Sequence, residues 1–80
     1  MLTCAQLRAA RAVLRLNAIE VAQRAGVSLS TIQRAEKADG PVPMIRATAD
    51  RVRDVLEGAG IVFLPDEGGT IGLRFREPGQ

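Results

Sequence analysis

Ala22, Gly26 four residues later and Ile32 six residues after that set the tightest constraint on how this chain folds. A small residue lets two helices approach closely at a steep angle. A glycine supplies the left-handed residue that turns the chain between them. A branched apolar residue anchors the second helix to the core. Within residues 18–37 this is the spacing of a helix-turn-helix.

The flanking pattern supports four helices. Thr3 followed by Gln6 is a capping-box pair. Leu7, Ala10 and Leu14 then recur at helical spacing, with Arg8, Arg11 and Arg15 offset by one, which predicts a helix from about Thr3 to Arg15. Leu16-Asn17 breaks the pattern, and Asn17 suits the N-cap of a second helix from about Ala18 to Ala25, with Val21, Ala22 and Ala25 inward. Gly26 stops it. Val27 is placed to pack back as a staple, and Ser28 caps a third helix from about Leu29 to Lys37, with Ile32 and Ala35 inward. Gly40, Pro41 and Pro43 make the next stretch a loop. A fourth helix is expected from about Met44 to Gly58, with Ile45, Ala49, Val52, Val55 and Leu56 as its apolar stripe.

The period then changes. Ile61-Val62-Phe63-Leu64 is an apolar run, residues 65–69 read as a turn, and Ile71, Leu73 and Phe75 alternate with Gly72, Arg74 and Arg76. That is a β-hairpin. A two-stranded hairpin is not stable alone in water. Its first strand is apolar on both faces, so one face is expected on the helices and the other under a second copy of the chain. Ile61, Phe63, Leu64, Leu73 and Phe75 are the expected dimerisation residues. The alternative is a monomer whose hairpin folds back on its own helices. The chain therefore divides into residues 1–58 (helices), 59–76 (hairpin) and 77–80 (a frayed tail).

Eighty residues make one small domain. An apolar share of 46% argues against disorder, and 25% charged residues favour solubility. No apolar run approaches the length of a membrane span, and no secretory leader is legible, so a cytoplasmic protein is expected. The single cysteine, Cys4, reads as a small apolar residue near the start of the first helix. The chain has no histidine, which removes a Cys/His metal site and a His-based triad. No nucleophile–base arrangement or phosphate-cradling glycine loop is present, so neither enzymatic activity nor a cofactor is expected.

Charge is unevenly placed. Residues 1–37 carry six bases and two acids, a balance of +4; residues 38–80 carry five bases and seven acids, a balance of −2. The basic half holds the helix-turn-helix, as an electrostatic footprint for phosphate requires, although ordinary solvated helix faces give the same count. The second helix of such a motif is the one that enters the DNA major groove.

The segment from Leu16 to Ala22, followed by Ala25-Gly26-Val27-Ser28-Leu29-Ser30-Thr31-Ile32-Gln33-Arg34-Ala35-Glu36-Lys37, resembles the phage Cro/C1-repressor (XRE) family of helix-turn-helix regulators. The Gly-Val-Ser-x-x-Thr-Ile stretch with its following Glu36 is the most specific part. The likeness covers residues 5–57, and the C-terminal part is similar to small single-domain bacterial members that add a hairpin. The resemblance implies a mainly α, lambda-repressor-like domain of four to five helices followed by a C-terminal β-hairpin. It implies a homodimer on a palindromic operator in double-stranded DNA and transcriptional control without chemistry, as a repressor.

Carried over, the DNA-contacting positions are Ser28, Leu29, Ser30, Thr31, Gln33 and Arg34. Ser28 and Thr31 suit phosphate, with helix capping as their other role. Gln33 pairs bidentately with adenine and Arg34 with guanine, and Arg34 is the foremost base reader. Lys37, Arg24 and Arg46 suit the phosphate backbone. Arg11 and Glu36 match an ion pair that joins the first helix to the third; losing one partner of such a pair, if largely buried, costs about 3–5 kcal/mol.

Three positions depart from the family pattern: Ala18 replaces a phosphate-touching glutamine, and Ile19 and Leu29 replace polar residues. Together they form a small apolar patch, the kind that marks a protein-binding surface. The alternative function is therefore an antiactivator- or antitoxin-like module that binds another regulatory protein through Ala18, Ile19 and Leu29.

Overall fold

Side-chain caps start three of the helices. In the computed structural model, which describes residues 2–64 and 72–76, Thr3 Oγ1 accepts from the Gln6 N–H at 3.1 Å and Gln6 Oε1 accepts from the Thr3 N–H at 3.0 Å. This reciprocal pair opens α1, Cys4–Leu14. It also accounts for a buried glutamine, since the amide oxygen has its partner where it sits. Asn17 opens α2, Ala18–Ala25, by accepting from the Glu20 N–H at 2.8 Å, and Glu20 returns the bond to the Asn17 N–H. Ser28 opens α3, Leu29–Lys37, by accepting from the Thr31 N–H.

Gly26 ends α2 at φ 69°, a left-handed conformation that lets the Val27 N–H reach back to the Ala22 carbonyl at 3.0 Å. Ala22 is buried behind this turn, and α2 packs on both α3 and α4. Two helices joined by a glycine turn are thus present where the spacing predicts them.

The fourth helix differs from expectation. α4 is Arg46–Gly58, and Ile45 lies outside it as an N-cap residue without a side-chain cap. Ile45 is 72% exposed rather than part of the apolar stripe. The physical reason lies just upstream. Pro43 keeps Val42 out of helical geometry, the chain at Val42 is tied back to the N-terminus, and the backbone is still extended at Ile45, with ψ 155°. There Cys4 N–H donates to the Gly40 carbonyl at 2.8 Å, and Val42 N–H donates to the Leu2 carbonyl at 3.1 Å. Thr3 and Pro41 form an isolated antiparallel bridge. This strap buries Leu2 and Val42, two core residues with no helical periodicity to announce them.

The core comprises Leu7 and Ala10 of α1, Val21, Ala22 and Ala25 of α2, Ile32 and Ala35 of α3, and Val52 and Leu56 of α4. Cys4, Leu2, Val42 and Ile61 complete it. β1, Ile61–Phe63, pairs antiparallel with β2, Leu73–Phe75, with Ile61 opposite Phe75, Val62 opposite Arg74 and Phe63 opposite Leu73. The expected turn at 65–69 and Ile71 lie outside the described residues, as does the expected tail at 77–80.

The pairing puts Ile61, Phe63, Leu73 and Phe75 on one sheet face. Ile61 is buried, and Phe63 and Leu73 pack against the core, with β1 on α4 and β2 on α1. Those three expected dimerisation residues therefore already cover their own helices. Arg53 of α4 lies over the Phe63 ring, 4.9 Å from its centroid. Only Leu64 and Phe75 of the expected set remain substantially exposed. Among the described residues, no helix is long and apolar enough to cross a membrane, and no cluster of three acidic, Cys or His side chains is placed to hold a metal.

Candidate nucleic-acid interface

α3 presents a single polar stripe. Ile32 and Ala35 point inward and are fully buried, which leaves Ser30, Gln33, Arg34 and Lys37 exposed at helical positions i, i+3, i+4 and i+7. No described residue hydrogen-bonds or ion-pairs with the side chains of Gln33, Arg34 or Lys37. Their donors and acceptors are therefore committed only to solvent. Among the described residues, Gln33 and Arg34 supply an amide and a guanidinium side by side near the middle of the exposed face. Lys37 sits one turn further toward the C-terminus.

The N-terminal turn serves a different purpose. Ser28 Oγ lies 2.7 Å from Thr31 Oγ1 and 3.1 Å from Ser30 Oγ, and it also accepts from the Thr31 N–H. The three hydroxyls form one local network that caps the helix. Leu29 and Thr31 are half-buried. Of the expected contact positions, Ser30, Gln33, Arg34 and Lys37 come together on the exposed face, while Ser28 and Thr31 are engaged in the cap.

The other two expected phosphate-holding residues lie elsewhere. Arg24, at the end of α2, borders a cleft with Arg15 and Phe75. Arg46, in the first turn of α4, borders a separate cleft with Leu2, Met44 and Asp50. Neither cleft has a lining residue from α3.

Two arginines of α1 lock α3 in place. Arg11 Nε donates to Glu36 Oε2 and its Nη1 donates to the Leu16 carbonyl at 2.9 Å, which joins α1, the turn after it and α3. The expected ion pair is present. Its side chains are 27% and 15% exposed, so it is half-buried rather than sealed from water, and the loss on removing one partner shrinks accordingly. Arg8 Nη1 donates to the carbonyls of Glu36 and Ala38 at 2.9 and 3.0 Å. These are C-terminal carbonyls of α3 with no helical partner, and a cation at that end also suits the helix dipole.

Arg8 was not expected as a structural residue. The available signal was its position three residues before Arg11, on the same side of α1. With Arg8 and Arg11 committed to the fold, less of the basic N-terminal half is free to form an electrostatic footprint. What remains is Arg15, Arg24, Arg34 and Lys37.

The apolar patch expected at Ala18, Ile19 and Leu29 is reduced. Ala18 packs against the core and Leu29 is half-buried, so Ile19, 51% exposed, is its prominent member. Comparison with known families finds no family model that matches the chain, and comparison with curated proteins finds no significant match.

Proposed function

We propose that this chain is a sequence-specific DNA-binding transcriptional regulator of the Cro/C1 (XRE) helix-turn-helix type with a lambda-repressor-like helical domain. It acts as a dimeric repressor on a palindromic operator. The observation that carries this reading is the exposed stripe Ser30, Gln33, Arg34 and Lys37, held on a short helix whose opposite side is fixed by Ile32, Ala35 and the Arg8 and Arg11 contacts. A recognition helix needs base-reading side chains on a rigid mount, because an error of about 1 Å in placement loses the paired hydrogen bonds. Gln33 and Arg34 are the base readers, and Lys37 holds the backbone. Dimerisation is supported by the two-stranded sheet: among the described residues each strand has an unpaired edge, with Leu64 exposed at the end of β1.

The test is selection of binding sites from random duplexes, followed by anisotropy titration at stated salt. A recurrent palindrome is expected. Arg34→Ala is expected to cost about 1–3 kcal/mol on the selected site and to relax preference at one base position of each half-site. Enrichment of no sequence, with binding independent of Arg34, would overturn the proposal.

A second reading draws on Ile19. An apolar side chain 51% exposed in the first turn of α2 suits a protein partner better than a phosphate. On that reading the chain is an antiactivator- or antitoxin-like module. Ile19→Glu then abolishes capture of a partner regulator while Arg34→Ala leaves it intact.

A further inference from the structure

A cleft of about 420 Å³ lies where the C-terminal end of α1 meets β2. Its apolar lining is Val13, Leu14, Leu16, Ala59 and Phe75. Val13 and Phe75 are 43% and 41% exposed, and both are large apolar residues that the fold leaves uncovered at one place. Two guanidinium-bearing residues, Arg15 and Arg24, border the same cleft, and both are exposed. No described side chain pairs with either. The nearest acid in sequence, Glu20, stands one turn before Arg24 but is turned to the Asn17 N–H as part of the α2 cap. Arg15 sits at φ 56°, a left-handed conformation that glycine or asparagine adopts at less cost. The chain thus carries a cationic side chain at a strained position beside an open apolar surface.

We propose that this cleft docks an acidic amphipathic segment of a partner protein. Such a segment inserts one or two bulky apolar side chains over Val13 and Phe75 and sets carboxylates against Arg15 and Arg24. The chemistry selects this occupant over the other two available. A nucleic-acid backbone satisfies the arginines but brings its charges onto an apolar floor and leaves Val13 and Phe75 without an apolar partner. A second copy, related by a twofold axis through the cleft, sets Arg15 and Arg24 close to their own counterparts. An acidic amphipathic helix matches both the apolar floor and the positive rim, in the helix-in-groove mode. The surface uses no residue of α3, so it is compatible with simultaneous occupation of the recognition helix.

The test is an NMR titration of the isotope-labelled full chain with a 14-residue amphipathic peptide, Leu and Phe on one face and Glu and Asp on the other. A control peptide carries Gln and Asn at every acidic position. The expected result is shift changes confined to Val13–Leu16, Arg24, Ala59 and Phe75, with the control binding at least about tenfold more weakly. Arg15→Gln and Val13→Ser are each expected to weaken the acidic peptide about threefold to tenfold, with the spectrum of the free chain otherwise preserved. Equal binding of the two peptides, or shift changes centred on other residues, overturns the proposal. So does perturbation centred on Val13, Arg15 and Arg24 by chain concentration alone, as distinct from changes along the sheet edge, or by a DNA duplex in place of the peptide.

Discussion

Arg15 and Gly60 show opposite ways in which a single residue meets a left-handed backbone. Arg15 closes α1 at φ 56° with a side chain and β-carbon in place. Arg15→Gly removes that penalty and is expected to raise stability by about 0.5–1 kcal/mol, read as a shift of the urea midpoint with unchanged slope. A lower midpoint would show that the arginine makes a stabilising contact. Gly60 lies at φ 114°, where an added β-carbon would collide with the backbone carbonyl of Arg76. The Arg76 N–H also donates to the Gly60 carbonyl at 2.7 Å, so the two segments are held together at this point. Gly60→Ala is expected to cost about 2–3 kcal/mol or to detach β2, visible as loss of amide protection at Arg76. Retained protection there would contradict the close approach.

At the scale of elements, α3 is the piece whose placement depends most on the rest of the fold. It is a nine-residue helix, too short to persist alone in water, and its stability comes from packing and from its ends. Ser28 holds one end and Arg8 the other. Arg8→Ala is expected to cost about 1 kcal/mol, since the guanidinium is exposed but satisfies two carbonyls. The cost is expected to appear as faster amide exchange in the last turn of α3 rather than throughout the chain. Glu36→Gln keeps the size of the side chain and removes its charge; about 1–2 kcal/mol is expected for this half-buried pair, measured by thermal or urea unfolding. A loss above about 3 kcal/mol would indicate a pair sealed from water.

For the whole molecule, the proposed function requires two copies acting together. Leu64 is exposed and, among the described residues, each strand has an unpaired edge, while Ile61, Phe63 and Leu73 are already used within the chain. Sedimentation equilibrium is expected to show a dimer at high micromolar concentration, with Leu64→Asp shifting it toward monomer. A wild-type monomer at that concentration removes the dimer. Salt dependence supplies a second measurement at this scale. On the proposed DNA-binding function, neutralising Lys37 with Gln is expected to weaken binding similarly across sequences. It is also expected to reduce the slope of log affinity against log salt by about 0.9 for each phosphate that the lysine neutralises. Loss of sequence preference in place of a slope change would make Lys37 a base reader.

Local physics made the first three helices readable from residue order. Thr3 with Gln6, Asn17 and Ser28 are caps that act within three or four residues, and Gly26 stops α2 because its own backbone turns left-handed. The helical spacing of Ile32 and Ala35 also fixed which side of α3 stays in solvent, so the exposed Gln33 and Arg34 were legible too. Contacts between residues far apart in the chain were not. Leu2 and Val42 enter the core through a two-bond strap, and Ile45 falls outside α4 beside it. Arg8 is drawn from the charge count into the fold because α1 packs on α3, beside the Arg11–Glu36 pair that the family resemblance had implied. Only the tertiary structure could assign Arg8, since one arginine has the same local signature whether it meets a carbonyl 28 residues away, a partner's carboxylate or a phosphate.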